Sequence, residues 1–185
     1  MLIAKEKKRT NIAEYVIYMF QIQDMIRACG FNRETIIRQV VTPQTPKDKM
    51  RESIQWFDDI IEEMERRNLE KSGNITAINE VLNELVYLHT TLVDVVKNKS
   101  YLRLYENAQK VIEDFQKRSD LKEKHPIEVA FHALYMKLLL KLKNETISDA
   151  SEEGFQKMTK VLSFIGKGYH EMKNGNMTMF EVKDN

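Results

Sequence analysis

The stretch Ile127–Leu142, IEVAFHALYMKLLLKL, decides the fold. It is the most apolar run of the chain, yet Glu128, His132, Lys137 and Lys141 interrupt it. A membrane-spanning helix needs about 20 residues with few or no charges. The run therefore reads as a core helix of a bundle. His125 and Pro126 start it, the proline suiting the first turn because its missing amide has no helical partner there.

The rest of the chain agrees with that reading. Its 185 residues suit one domain with a real core, and only 6 Gly and 3 Pro break a composition rich in Lys, Glu, Leu, Ile and Met. The class is all-α, a compact bundle of six to seven helices occupying residues 1–174. Residues 175–185, including MTMFEV, form a C-terminal tail expected to be disordered or docked. With 29 basic and 28 acidic residues, the net charge is +1 and the charges are well mixed, so neither nucleic acid nor an anionic membrane surface is an expected partner. The single cysteine, Cys29, cannot pair within the chain, and the opening MLIAKEKKRT meets charge after four residues, unlike a signal peptide. The expected location is the cytoplasm.

Outward from the core helix, breaks fall at short polar or Gly/Pro signals. The first helix reads from Asn11, and Gly30 caps it in a left-handed conformation. Asn32 opens a short helix to about Val41, which TPQTP (42–46) stops. Thr45 as N-cap and Pro46 at the first helical position open a third helix to about Glu70, and KSGN (71–74) follows. From Ile75, a seam of Ile78, Leu82, Leu85, Leu92 and Val96 keeps heptad spacing, with His89 in its one missing position. A fifth helix follows Ser100, with Leu104, Tyr105, Ala108, Ile112 and Phe115 inward. The sixth is Ile127–Leu142. The seventh starts near Ser148 and carries Phe155, Met158, Leu162, Ile165, Tyr169 and Met172 on one seam. Gly166 and Gly168 on it imply close packing, and with the apolar tail they suggest a contact surface for self-association or a protein partner.

Two segments resemble a bacterial family known as a domain of unknown function. They are Asn11 to Tyr15 with Tyr18, Met19 and Asp24 to Arg27, and FHALYMKLLLKL from Phe131, followed by Ile147 and Ser148. The resemblance spans nearly the whole chain. It implies no assigned chemistry. The family often carries a larger aromatic at the place of Phe20, an acid at that of Gln23 and an amide at that of His132, which speaks against a catalytic role for this histidine.

The first helix, NIAEYVIYMFQIQDMIRACG (11–30), carries the polar residues of interest. Stepping about 100° per residue from Ile12 puts Tyr15, Met19, Ile22 and Ile26 in one arc, with other apolar residues outside it, so most of the circumference is covered. Glu14 and Gln21 share a bearing and Asp24 lies further round. Asn11 and Glu14 have the spacing of a capping box, while Gln21 and Asp24 read as hydrogen-bonded core groups, with Arg27 a partner for Asp24. With Glu128 and His132 of the sixth helix, the candidate polar cluster is Glu14, Gln21, Asp24, Glu128 and His132.

Known catalytic patterns are not found in the sequence. Glu128 and His132 have metal-ligand spacing, but no second such pair exists, and both His89 and His132 read as structural. Glu62 and Glu65 followed by Glu80, Asn83 and Glu84 faintly resemble the magnesium carboxylates of all-α nucleotide pyrophosphohydrolases. Glu80 and Glu84 lie opposite the apolar seam of their helix, where charges are normally solvated, so no metal and no cofactor are expected. Arg118 and His125 echo the Arg and His pair of helical-bundle ribonucleases, but the intervening SDLKEK reads as a loop. The expected function is a non-catalytic interaction or ligand-binding module without catalytic residues. The alternative is a hydrolase-like enzyme whose site lies between the first and sixth helices and uses Glu14, Asp24, Glu128 or His132.

Overall fold

A computed structural model describes residues 2–176, which contain helices and no strand. The expected tail, from Met177 onward, lies outside the described residues. The helices are α1 (Leu2–Thr10), α2 (Ile12–Ala28), α3 (Arg33–Ile36), α4 (Thr42–Gln44), α5 (Met50–Arg66), α6 (Thr76–Thr90), α7 (Lys99–Lys117), α8 (Pro126–Leu142) and α9 (Asp149–Lys173). A π-helical turn, Ile37–Val41, joins α3 to α4 as one rod, so eight helical rods stand among the described residues. The expected six to seven falls short because AKEKKR forms a helix of its own. Asn11, in an extended conformation, separates it from α2, and Ile3 of α1 shares a groove with Tyr18 and Ile22, so α1 folds back along α2.

Several ends follow the expected caps. Asn11, Asn32, His125 and Ser148 each accept from a backbone amide in the first turn they precede, satisfying donors that have no helical partner. Gly30 has φ of 57°, and the Phe31 amide closes back onto Ile26 O at 3.1 Å, sealing α2.

Two boundaries differ from expectation. Pro43 does not stop the short helix at Val41: the rod carries it and ends one residue later, at Gln44, with Thr45 extended. Thr45 and Pro46 are extended, and the 3-10 turn Lys47–Lys49 leads into α5 without a side-chain cap. At its other end α5 stops at Arg66, short of Glu70: Asn68 turns left-handed at φ of 53° and the Leu69 amide reaches Met64 O at 2.9 Å. Asparagine tolerates that conformation better than other residues with a Cβ, and the closure buries Leu69.

Helix α9 packs against α2, α6, α7 and α8, and α8 packs against α2, α6 and α7 as well. The seam of α6 is buried from Ile78 to Leu92 with His89 inside it, while Val96 is half-buried. The His89 Nδ1 lies 2.6 Å from the Tyr101 hydroxyl, so this buried imidazole has a partner. Gly166 and Gly168 are buried inside the chain's own core, a Cβ on Gly166 meeting Ile12 Cγ2 at 3.4 Å. That is an ordinary contact, so close packing does not account for Gly166, and, being buried, the two glycines offer no outer surface to a partner.

The first half of α8 is the core helix expected, with Ile127, Val129, Ala130, Phe131 and Ala133 fully buried. Its second half rises out of the bundle: Leu138, Leu139 and Leu140 are half-buried, and Met136 and Leu142 are exposed. The lysines of that half accompany the change. Lys137 reaches across to Glu152 of α9, and Lys141 is exposed.

Candidate functional site

Two helices and two loops enclose a cleft of about 570 Å³. Helix α2 contributes Phe20, Gln23, Asp24 and Arg27, which helical spacing places along adjoining strips of its surface. Helix α8 contributes His132 and Tyr135, three apart and so neighbours on one face. Lys71 to Asn74 of the α5–α6 loop form one rim, and Asp120, Leu121 and Lys124 of the α7–α8 loop form the other.

The walls are held by side chains that reach backbone groups. Gln23 is fully buried. Its Oε1 accepts from the Ile75 amide at 2.8 Å, and its Nε2 donates to Met19 O at 3.1 Å and Asn74 Oδ1 at 3.3 Å. Arg27 donates through Nε to Leu69 O at 2.9 Å, through Nη2 to Gly73 O at 2.6 Å and through Nη1 to Asp24 Oδ1 at 2.8 Å. The second oxygen of Asp24 accepts from the Tyr135 hydroxyl at 2.9 Å. On the opposite rim, Gln116 Nε2 faces the carbonyls of Leu121, Lys122 and Lys124 at 2.8 to 3.2 Å. Both loops are thus tied to the helices by planar amide or guanidinium groups, which hold several acceptors in one fixed geometry.

His132 differs from these groups. It stacks on Phe20 with ring centroids 4.8 Å apart and 17° between planes, and Tyr135 meets the other edge of Phe20 at 5.8 Å. Its ring has no hydrogen bond among the described residues. Burial pushes its pKa below the ordinary imidazole value, against the opposing pull of Glu128, while Lys124 adds to the lowering and Asp24 opposes it. The ring is accordingly neutral at pH 7, with one nitrogen a donor and the other an acceptor. Tyr135 is shifted upward by burial and by its bond to Asp24, so its hydroxyl stays protonated and keeps donating.

The five expected site residues do not form one cluster. Asp24 and His132 line the cleft, and Glu128 lies at its edge, bound to Lys124 Nζ at 3.0 Å. Glu14 is exposed at the start of α2: its amide donates to Asn11 Oδ1 at 3.2 Å, the cap its spacing implied, but its carboxylate accepts from the Asn11 side-chain Nδ2 at 3.0 Å and pairs with Lys7, because the Asn11 backbone amide is already bonded to Lys7 O. Gln21 faces a separate small groove with Val41, Ser53 and Phe57. It has no hydrogen bond among the described residues, and Asp24 is exposed, so neither is the core polar group expected. The buried amide is Gln23, two positions on from Gln21. The sequence carried a signal for it: Ile12, Val16, Met19 and Ile26 run at alternating spacings of four and three, and Gln23 stands in the vacant place of that seam. Asp24 does take Arg27 as its partner, as the spacing of three suggested.

The other carboxylates go elsewhere. Glu62 and Glu65 face Arg33 at 3.6 and 3.7 Å, Glu80 is exposed, and Glu84 is half-buried rather than solvated because α9 brings Lys173 Nζ to 2.9 Å from its Oε1. Among the described residues, no group of three or more His, Cys, Asp or Glu is placed to hold a metal ion, and no helix is long and apolar enough to cross a membrane.

Both oxygens of Asp24 and the whole Arg27 guanidinium are committed to structure, which leaves His132, Lys71 and Asp120 as the ionisable groups facing the cleft without a hydrogen-bond or ion-pair partner among the described residues.

A model of the family described as Domain of unknown function (DUF4924) matches residues 1–176. A search of the curated proteins and one of the solved structures find no match to the chain.

Proposed function

The chain belongs to the DUF4924 family, and from that premise we propose that it is a non-catalytic binding module whose ligand occupies the cleft between α2 and α8. One observation carries the reading. The walls of the cleft are tied by hydrogen bonds, whereas the half-buried imidazole of His132 lies on Phe20 and lines the cleft with no hydrogen-bond partner among the described residues. A neutral ring on an aromatic support, with rims already fixed, is a preorganised surface that loses little order when a ligand arrives. The cleft volume falls within the range usual for small-molecule sites. The single thiol, half-buried Cys29, suits a reducing compartment, and we place the protein in the cytoplasm on that ground.

The test is a fragment screen followed by nuclear magnetic resonance of the intact, labelled protein, reading the ring signals of His132, Phe20 and Tyr135. At least one class of fragment should shift these signals together and leave the Trp56 indole, on α5, unmoved. A diverse library that shifts none of the three rings would overturn the reading.

A further inference from the structure

We propose that the cleft recognises a zwitterionic small molecule with a planar side group, of the class of free aromatic amino acids. The inference rests on the binding reading above and deepens it.

The charges around the cleft are mostly cancelled in pairs. Arg27 meets Asp24 at 2.8 Å, and Lys124 meets Glu128 at 3.0 Å. Two charges of opposite sign are left, Lys71 and Asp120, and neither has an ion-pair partner among the described residues. They stand on different rims, Lys71 in the α5–α6 loop and Asp120 in the α7–α8 loop. A purely anionic ligand would satisfy Lys71 and be repelled by Asp120, and a purely cationic one the reverse. A molecule bearing a carboxylate and an ammonium a few bonds apart opposes both.

Between the rims, Phe20, His132 and Tyr135 supply the aromatic part of the lining, beside the polar side chains of Gln23, Asp24 and Arg27, which are already hydrogen-bonded. A planar group gains most on such a surface through stacking, and the neutral imidazole adds one donor and one acceptor at its edge. The rims themselves are braced. Arg27 binds the carbonyls of Leu69 and Gly73 on one side, and Gln116 binds those of Leu121, Lys122 and Lys124 on the other. Gly73 adopts φ of 97°, a left-handed conformation that favours glycine and presents its carbonyl to Arg27. The backbone of each rim is therefore held in place, with the exposed side chains of Lys71 and Asp120 standing on opposite rims.

Isothermal calorimetry on the full chain tests this with three probes: L-phenylalanine, 3-phenylpropionate, which lacks the ammonium, and 2-phenylethylamine, which lacks the carboxylate. Phenylalanine should bind about two- to fivefold tighter than either analogue, the upper part of the range for one exposed charge pair. Lys71→Met should remove its advantage over phenylethylamine, and Asp120→Asn its advantage over phenylpropionate. Both substitutions fall in exposed loop positions and should leave the thermal midpoint unchanged. Equal binding of the three probes, or no binding of phenylalanine, overturns the zwitterion assignment, and because the probe comparison uses the unaltered chain it stands even if a variant misfolds. If phenylalanine fails while the fragment screen still shifts the three cleft rings, only the ligand class falls. If nothing shifts them, the binding reading falls with it.

Discussion

Replacing Gln23 by leucine should be among the most damaging single changes of a polar side chain in this protein. The two side chains are similar in size, so little cavity forms and the cost is polar. Leucine leaves the buried Ile75 amide without its acceptor and Asn74 Oδ1 without a donor. An orphaned buried group costs about 1–3 kcal/mol. Met19 O, the third partner, already serves as a helical acceptor and loses little. Against this, the buried leucine recovers about 1 kcal/mol of apolar transfer. The net loss should be about 2–3 kcal/mol, which for a chain of this size lowers the thermal midpoint by about 5–10 °C. Gln21→Leu is the control, since Gln21 has no hydrogen bond among the described residues, and it should change stability by no more than about 0.5 kcal/mol. Urea unfolding followed by circular dichroism reads both, and amide exchange at Ile75 should quicken in Gln23→Leu alone. Equal midpoints for the two variants, or an unchanged Ile75 exchange rate, would refute the reasoning.

Acid should weaken the fold in a defined window. Burial, reinforced by the His125 charge and opposed by Asp94, pushes His89 down to about 4 from an ordinary 6.5. The unfolded chain therefore binds the proton first, and stability that is complete above pH 6.5 declines toward pH 4 by about 3 kcal/mol. Urea midpoints that stay level from pH 7 to 4.5 would contradict this. Two glycines of α9 should respond with opposite signs: a Cβ on Gly154 would lie 2.7 Å from Val111 Cγ1, so Gly154→Ala should cost about 1–3 kcal/mol. Gly166→Ala makes an ordinary contact and should stabilise by about 0.5–1 kcal/mol, both read by thermal melts. Truncation should also grade the core, Ile22→Ala costing about 2–5 kcal/mol and half-buried Leu139→Ala about half as much, measured by denaturant unfolding. Magnesium up to millimolar levels should leave the midpoint where it is, and a rise abolished by Glu80→Gln would restore the pyrophosphohydrolase reading.

The elements most legible in the sequence were those whose signals are local. Asn11, Asn32, His125 and Ser148 announce helix starts because a cap needs only one side chain and the amides beside it. The seams of α6 and α9 were legible because burial imposes its period on the sequence. The misreadings came from competition between local rules and tertiary contacts. TPQTP contains two prolines, and the sequence alone does not say which one marks the end: the helical rod runs through Pro43 to Gln44, and Pro46 lies in the extended link beyond it. Helical bearing groups Glu14 with Gln21 and sets Asp24 further round, whereas the structure sends the three to different places: Glu14 to a cap, Gln21 to a small groove, Asp24 to a cleft. Arg27 was legible as the partner of Asp24, but its hold on Leu69 and Gly73 spans more than forty positions of sequence, and no local pattern encodes it. Gln23 is encoded by its place in the seam, but a polar residue in an apolar seam looks like an interruption unless its partners, the Ile75 amide and Asn74, are known.

The place of α9 bears on how the protein is made. A ribosome delivers α2, α6, α7 and α8 before the helix that packs against all four. Until Phe155 to Tyr169 emerge, the apolar seams they will cover have no native partner, and synthesis at about 5–20 residues per second leaves that interval at seconds. Nascent chains stalled before Ser148 should accordingly engage chaperones and resist release as monomers, and chains stalled well beyond Asn174 should not. The helix that closes the bundle in space also sets the moment at which folding can finish.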